Sequence, residues 1–242
     1  MKIFYRKCFC TVFILGLVLL CCPLSARSAQ VGFTFIDPNI PDGEILIYSS
    51  TTDGAITDIV EKTVIKKQGG REFYEITSNS PALDLVLRIE RQSMAVLSVE
   101  QVKKFNEVTL ASKIDVTRQK PDASPAEVKL VHYITLKYLM RGFPFAEGQR
   151  VRIGFYGESE KSKFSMSLAC TKKETIKVRQ KPVECYHLEL GLDGFFGTFF
   201  PNTHLWYSAE PPHRLVKFQG TNGPMGSPES LVELVEAAGP GT

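Results

Sequence analysis

Acidic residues are absent from the start of the sequence, and this absence changes the charge balance of the rest. No Asp or Glu precedes Asp37, whereas Lys2, Arg6, Lys7 and Arg27 all lie in the first thirty residues. These four account for the basic excess, because the remaining chain has 25 basic and 26 acidic residues. Proteins that bind a phosphate backbone usually carry a general basic excess. We therefore expect no nucleic-acid partner.

Sequence signatures of catalysis are missing as well. No Gly-x-Ser-x-Gly motif is present, and Gly226–Pro228 has a proline where a helix should continue. His132, His204 and His213 are isolated in the sequence, which is typical of structural or solvated histidines. We therefore predict a protein that is not an enzyme and needs no cofactor.

Basic, apolar and small residues follow one another at the amino terminus. Residues 1–7 carry three positive charges, 8–22 are nearly all apolar, and 23–29 are mostly small or polar. This order is typical of a secretory signal peptide, and the apolar run is shorter than the roughly 20 residues that span a bilayer. We predict a signal peptide over 1–28, and hence a periplasmic or secreted protein. Cleavage nearby, a retained anchor or a lipid anchor are the alternatives.

Four of the six cysteines lie within the predicted signal peptide, so that Cys170 and Cys185 remain. Two cysteines in an oxidising compartment suggest a disulfide. A hairpin that turns at Arg179–Pro182 would nevertheless place Cys170 opposite Gly191, about 20 Å along the strand from Cys185. Because a disulfide needs Cα atoms within about 7 Å, we predict that the two are not bridged.

Short runs of alternating apolar and polar residues recur from Glu44 onwards, separated by Gly, Pro, Asn or Asp. One run is predicted to turn Leu110 inward, together with Val108, Ile114 and Val116. The pattern predicts a mainly β fold, in which an antiparallel sheet with hairpin connections curls into an open or closed barrel. The predicted strands are 44–48, 55–66, 71–77, 84–90, 97–105, 108–116, 126–132, 150–156, 163–178, 183–192, 204–208, 214–219 and 230–235.

One short helix is predicted at Ile134–Arg141, because its leucines and Met140 cluster at helical spacing before Gly142. Lys137 and Arg141 lie one turn apart on it, a spacing typical of a solvated face, with contact to an anionic headgroup as the alternative. We expect a single β-rich domain over residues 29–238, with a boundary between two sub-sheets near 118–125 as the alternative. Residues 239–242 should form a loose tail.

Three segments carry a resemblance to a known family: residues 134–151 (ITLKYLMRGFPFAEGQRV), 172–194 (KKETIKVRQKPVECYHLELGLDG) and 204–218 (HLWYSAEPPHRLVKF). Together with DGEILIY at 42–48, they resemble an uncharacterised family of exported bacterial proteins, domain of unknown function 3108. Its members often have glycine in the turn where this chain has Arg179–Pro182. The resemblance implies a β-rich envelope protein and no catalytic residues.

Cys185, His187 and Glu189 occupy alternate positions of a predicted strand, so that three potential metal ligands share one face. Glu174 would face His187 in the predicted register. The alternative, which we favour from sequence, is a partly buried cysteine beside a histidine and a glutamate that form an ion pair or stay solvated.

Residues 191–201 place four phenylalanines among glycines, and Trp206 follows shortly after. Exposing so many aromatic side chains to water is costly. They are candidates to rim an apolar pocket or to enter a lipid headgroup layer, and the alternative is that they close one end of the sheet as ordinary core. The candidate ligand-binding residues are therefore Phe195, Phe196, Phe199, Phe200 and Trp206.

These observations predict an exported cell-envelope protein that acts as a non-catalytic binding module for an apolar or lipid-like small molecule. The first alternative is a structural or interaction protein that docks on an envelope protein. The second is a metal-dependent enzyme that uses Cys185, His187 and Glu189. A continuous apolar cavity would favour the binding module, and a packed interior would favour the interaction protein.

Overall fold

The computed structural model describes residues 33–105, 108–115, 129–156, 163–192, 201–221 and 227–239. The predicted signal peptide, the sub-sheet boundary near 118–125, the phenylalanines of 195–200 and the tail beyond Gly239 lie outside these ranges.

Thirteen strands and one short helix make up the described chain. The strands are β1 Ile45–Thr52, β2 Ala55–Gln68, β3 Arg71–Asn79, β4 Leu83–Glu90, β5 Val96–Phe105, β6 Val108–Asp115, β7 Lys129–His132, β8 Arg150–Tyr156, β9 Lys163–Val178, β10 Lys181–Leu192, β11 Thr203–Ser208, β12 Leu215–Thr221 and β13 Glu229–Ala238. The helix α1 is a single turn, Leu136–Leu139, between 3₁₀ turns at Tyr133–Thr135 and Met140–Gly142.

All thirteen strands belong to one sheet in the order β6-β5-β4-β3-β2-β1-β13-β12-β11-β10-β9-β8-β7. Strands that are consecutive in the chain pair antiparallel through most of this order, which confirms the predicted fold class. The expectation of a wholly antiparallel sheet is wrong for β7, which pairs parallel with β8. The helix lies between these two strands in the chain, and such a crossover returns the chain in the same direction.

Two-residue turns with positive φ join several hairpins: Asp53–Gly54, Gly69–Gly70 and Arg179–Gln180. These turns match the right-handed twist of their strands. The predicted turn at Arg179–Pro182 is therefore wrong by two residues, because Lys181 already pairs with Val178. At Arg179 (φ 46°) and Gln180 (φ 69°) two side-chain-bearing residues occupy the left-handed region.

The displaced turn moves the β9–β10 register by two residues, so that Glu174 lies opposite Cys185 and not opposite His187 as predicted. A bulge between His187 and Leu188 moves it by one more, so that Cys170 lies opposite Leu188 and not opposite Gly191. Cys170 and Cys185 are both buried free thiols. They belong to separate apolar clusters. The prediction that they are not bridged is confirmed, although the register from which it was argued is wrong.

A single apolar core joins the two ends of the sheet, which we call its wings: one contains β4 and β5, and the other contains β8 and β9. Leu87 and Val99 from one wing and Ile153 and Leu168 from the other belong to the same buried cluster. Distant strands share a core in this way only if the sheet curls around it. Within the described residues the sheet is open, because its terminal strands β6 and β7 each pair on one side only.

The centre of the curled sheet is filled by the helical segment and by the chain that precedes β1. Leu139, Met140 and Phe143 are in the common core with Phe35 and Ile40. Burying such side chains contributes about 1.5–3 kcal/mol each relative to exposure. The short helix is therefore part of the core.

The terminal strand β6 differs from the prediction. Leu110 is 55% exposed although the alternation predicted it to point inward. Thr109 and Ala111–Lys113 are exposed too, so that both faces of this part of the strand are accessible to solvent. Alternation orients side chains to two faces, but whether a face is covered depends on the position of the strand in the sheet.

Among the described residues we find no helix with the length and apolar character needed to span a membrane.

Candidate functional site

Strands β10 and β11 bring histidine, glutamate and tryptophan side chains to the convex face of the sheet, which is the face turned away from the apolar core. His187 pairs with Trp206, and Glu189 pairs with His204. The alternate residues on the same strands, including Leu188 and Leu205, belong to the apolar core. Since successive side chains point to opposite faces, the first four residues share the face that is turned away from the core. We call His187, Glu189, His204 and Trp206, together with Glu174 of β9, the convex cluster.

His187 lies at the centre of the convex cluster. Its ring stacks on the Trp206 indole with a centroid distance of 4.5 Å and an interplanar angle of 1°. Its Nε2 atom is 3.0 Å from Nδ1 of His204. One ligand atom from each of His187, Glu189 and His204 lies within 4.8 Å of the others. This grouping is compatible with a metal ion.

Glu174 orients the two aromatic rings from the neighbouring strand. Its Oε1 atom accepts a 3.0 Å hydrogen bond from Nε1 of Trp206 and is 3.5 Å from Nδ1 of His187. Its Oε2 atom is 2.8 Å from the Lys172 ammonium. The Lys172 hydrogen bond lowers the pKa of Glu174, and the hydrogen bond from Trp206 acts in the same direction. The carboxylate therefore remains charged beside the imidazole.

The protonation of His187 follows from its partners. The Thr171 hydroxyl donates to the His187 carbonyl oxygen at 3.2 Å and lies 3.2 Å from Nδ1. With its proton committed, this hydroxyl accepts from Nδ1–H, which leaves Nε2 with a free lone pair. Burial lowers the pKa of His187, while Glu174 opposes the shift. A neutral imidazole with Nε2 as acceptor is the form that this environment favours.

The structure brings together two of the three predicted metal ligands, His187 and Glu189, but not the third. Cys185 packs instead in an apolar cluster with Val178 and Val216, which borders Trp206, and its Sγ donates to the Val183 carbonyl. Burial raises the pKa of the Cys185 thiol to about 12. A metal ligand must be a thiolate, and this environment disfavours the thiolate.

Of the predicted ligand-binding residues, Trp206 lies in the convex cluster, with the Lys217 ammonium 5.4 Å from its ring centroid. Phe195, Phe196, Phe199 and Phe200 lie outside the described residues. They belong to the connection between β10 and β11, the two strands that carry the convex cluster.

A second cluster of charges lies inside the curled sheet. Arg141 forms a bidentate pair with Glu44, with nitrogen–oxygen distances of 2.6 and 3.1 Å, and donates to the Pro212 carbonyl. Arg214 adds a 2.8 Å bond to the same carboxylate. Arg141 is 4% exposed and Glu44 is 1% exposed. The prediction that Arg141 belongs to a solvated helix face is therefore wrong, because the helix lies within the sheet.

Glu61 of β2 holds the other end of the helix. It accepts hydrogen bonds from Lys137, from the Tyr138 hydroxyl at 2.9 Å and from the Ser78 hydroxyl at 3.2 Å. The Tyr207 hydroxyl donates to the Lys137 carbonyl at 2.9 Å. Each buried charge thus has an opposite charge and further hydrogen bonds, as a structural ion pair requires.

The space left between these polar groups and the strands is small. The cavity bordered by Tyr48, Glu61, Lys137 and Arg141 has a volume of about 10 Å³. This is room for about one water molecule. Pockets that bind drug-sized ligands usually measure about 300–1,000 Å³.

A larger, open groove of about 710 Å³ lies between residues 34–37, 70–72 and 90–92. Several of the charged groups along it pair with one another: Arg91 bridges Asp37 at 3.0 Å and Glu72 at 2.7 Å, and the Tyr74 hydroxyl donates to Asp37. These pairs join the segment before β1 to the sheet, which is a structural role.

Sequence reasoning missed His204 and the buried Arg141–Glu44 pair. His204 is isolated in the sequence because its neighbours His187 and Glu189 lie on β10, fifteen or more residues earlier in the chain. A sequence signal does exist for it, because His204 and Trp206 are spaced by two, as are His187 and Glu189. Pairing these two runs across the 193–202 connection would have joined them.

No family model and no curated protein matches this chain. Among solved structures it is similar to a β-barrel-like protein of domain of unknown function DUF1849 from Brucella abortus, with 8% identity, 82% of this chain and 98% of that chain covered, and a TM-score of 0.37. It is also similar to a protein described as exported, with a YmcC-like fold, from Bacteroides fragilis (12% identity, 86% and 100% covered, TM-score 0.35). A third similarity is to a LolA superfamily protein from Nitrosomonas europaea (8% identity, 81% and 85% covered, TM-score 0.23). At these values no functional property transfers to this chain.

Proposed function

We propose that this chain is an exported cell-envelope protein that acts without catalysis, by docking on a partner protein through the open edge of its sheet. The observation that carries the proposal is that, within the described residues, the interior of the curled sheet is filled. Core side chains of the helical segment occupy the concave side, and the cavity beside them has room for about one water molecule. A binding function then depends on the outside of the sheet.

The edge strand β6 supports a docking role. It runs for eight residues, Val108–Asp115, and pairs with β5 along its whole length. In the described residues no strand pairs with its other side. Natural proteins usually shorten or cover such edges, because an exposed edge adds strands from other chains. Leu110, the third residue of the strand, offers an exposed apolar side chain.

The test is photo-crosslinking in cells from a reactive amino acid placed at Leu110. The matched control is Thr77 of β3, a partly exposed residue whose strand has ladder partners on both sides. We expect one stoichiometric product with a protein of the envelope from position 110 and none from position 77. Equal labelling from both positions, or none from either, would contradict docking at this edge.

A second candidate is binding of an apolar or lipid-like molecule at Phe195, Phe196, Phe199, Phe200 and Trp206. Trp206 supports it, because the indole lies on the convex face next to the Lys217 ammonium, and in the sequence the four phenylalanines belong to the connection between β10 and β11. Aromatic residues beside a cation suit a membrane interface.

Intrinsic fluorescence tests this second candidate directly, because Trp206 is the single tryptophan of the sequence. Titration with vesicles of zwitterionic or anionic lipid should shift its emission to shorter wavelength if the aromatic residues enter the lipid. A Phe196→Ser/Phe199→Ser variant should lose the shift. Unchanged emission at saturating lipid would reject lipid binding.

Export and family membership belong to the same proposal. Residues 1–28 support export to the periplasm or secretion, and the segments 134–151, 172–194 and 204–218 support the resemblance to domain of unknown function 3108. Amino-terminal sequencing of protein recovered from the periplasm should begin close to Ala29. A chain that keeps residues 1–28 would contradict cleavage.

A further inference from the structure

We propose that the convex cluster is a binding site for a late first-row transition-metal dication, with Zn²⁺ as the natural choice, in which His187, His204 and Glu189 are the ligands. This inference is independent of the proposed docking function.

The ligand set has the composition of an open zinc site. Two imidazoles and one carboxylate leave a fourth tetrahedral position for water or an exogenous ligand. Imidazole nitrogen favours Zn²⁺, Cu²⁺ and Ni²⁺, whereas Mg²⁺ and Ca²⁺ prefer a shell made of oxygen alone. The cluster therefore favours Zn²⁺, Cu²⁺ and Ni²⁺ over Mg²⁺ and Ca²⁺.

The spacing of the ligand atoms is close to that of a tetrahedral site. With metal–nitrogen bonds of roughly 2.0–2.1 Å, two nitrogens in a tetrahedron lie about 3.3 Å apart. Nε2 of His187 and Nδ1 of His204 are 3.0 Å apart. The Glu189 carboxylate is on the same face, directly opposite His204, and one of its oxygens lies within 4.8 Å of a ring nitrogen of each histidine.

The surroundings orient His187 as metal sites usually do. A ligating histidine generally donates its other ring N–H to a carboxylate or another acceptor, which fixes the tautomer and aims the lone pair at the metal. Here Nδ1 of His187 faces the Glu174 carboxylate at 3.5 Å and the Thr171 hydroxyl at 3.2 Å. Trp206 holds both partners, because it stacks on His187 and donates to Glu174. The imidazole is thus oriented before any metal arrives.

Metal binding changes the position of one proton, the ring proton of His204. Without metal, His204 Nδ1–H donates to Nε2 of His187. When a dication takes both nitrogens, the His204 proton moves to its other ring nitrogen, so that a neutral histidine remains. No oxidant or reductant takes part, because Zn²⁺ has no redox chemistry.

Isothermal titration of the untagged protein with Zn²⁺, and the d–d absorption of Co²⁺ as a probe of geometry, test the site. We expect one ion per chain, tetrahedral Co²⁺ bands, and no competition from excess Mg²⁺. His204→Ala should abolish the bands. Glu174→Gln should weaken binding by about 10–100-fold while the Co²⁺ spectrum keeps its tetrahedral form. His213→Ala is the matched control, because this histidine bonds to Ser208 away from the cluster, and its affinity should not change.

Far-ultraviolet circular dichroism checks that each variant folds. If His204→Ala does not fold, the Zn²⁺ affinity of Glu189→Gln tests the ligand set in its place. Wild-type affinity in both His204→Ala and Glu189→Gln would overturn the proposal. Loss of binding in Cys185→Ser, with a sulfur-to-Co²⁺ charge-transfer band in the wild type, would overturn it in favour of a site that uses the thiolate. Absence of stoichiometric binding in the wild type would overturn it as well.

Discussion

Arg141 and Glu44, 97 residues apart in the chain, form a buried bidentate ion pair that ties the short helix to the start of β1. Arg214 joins the same carboxylate from the segment before β12. Three distant parts of the chain therefore meet at one carboxylate. Removing one partner of a buried pair leaves a charge without compensation in a medium of low dielectric constant.

Glu44→Gln should lower the free energy of unfolding by about 3–5 kcal/mol, because it leaves the Arg141 guanidinium buried without its counter-charge. Urea denaturation followed by circular dichroism measures the change. The control is Lys113→Ala, which breaks an exposed pair with Glu100 and should change stability by less than about 1 kcal/mol. Equal effects of the two substitutions would contradict a structural role for the buried pair.

The same carboxylate should make stability depend on pH in acid. Burial alone would raise the pKa of Glu44, but its hydrogen bonds and charge interactions with Arg141 and Arg214 outweigh burial and lower the pKa below its usual 4.5. The folded state therefore holds this proton less tightly than the unfolded state. The stabilisation is complete above about pH 4.5 and is lost as the pH falls through the lowered pKa.

Thermal melts of wild type and Glu44→Gln across this acid range provide the measurement. The difference in melting temperature between the two proteins should shrink as the pH falls below 4.5. A difference that stays constant would show that the Glu44 charge is not the source.

Gly142→Ala should destabilise the protein by about 1–3 kcal/mol, because the new Cβ has no room. It would lie 2.1 Å from the Ile36 carbonyl oxygen, and the backbone there is fixed by the hydrogen bond from Ile36 N–H to the Gly142 carbonyl. The control is Gly69→Asn in an open hairpin turn, since asparagine tolerates its positive φ of 58° and meets no atom within 4 Å. Denaturant midpoints that shift equally would contradict close packing at Gly142.

The strands could be predicted well from sequence, because most of them bury one face. Alternation in β3 and β4 corresponds to buried Tyr74, Ile76, Leu85 and Leu87. The segment 97–105 forms β5 as predicted. Hairpin partners have local signals in their turn residues, and so the order of neighbouring strands follows from the chain.

The failures share a physical cause, which is that local pattern does not reveal what covers a face. Leu110 alternates like a core residue but lies on an edge strand, and Arg141 looks solvated on a helix that lies within the sheet. The register of Cys185 was mispredicted because the chain turns at Arg179–Gln180, where two residues with side chains occupy the left-handed region and no glycine marks the turn. In the convex cluster, His187 and Glu189 follow from one strand and Glu174 from the predicted hairpin, whereas His204 depends on the pairing of β11 with β10.

The two thiols of the chain without residues 1–28 should resist alkylation in the folded state. Burial raises the pKa of Cys170 to about 11 and that of Cys185 to about 12, so that little thiolate exists near neutral pH. Mass spectrometry after iodoacetamide treatment should show an unmodified native protein, and two modifications after unfolding in guanidinium without reductant. Failure to label the unfolded protein until a reductant is added would indicate a disulfide and contradict the structure.

Hydrogen exchange of the amides of Leu139 and Met140 tests most directly whether the helix is part of the core. If it permanently fills the curled sheet, these amides should exchange only through global unfolding, with the same free energy of opening as Ile76 in β3. If the helix instead opens as a lid over a ligand chamber, they will exchange with a much smaller free energy of opening while Ile76 stays protected. The first result is the one that we predict, and the second would contradict the account.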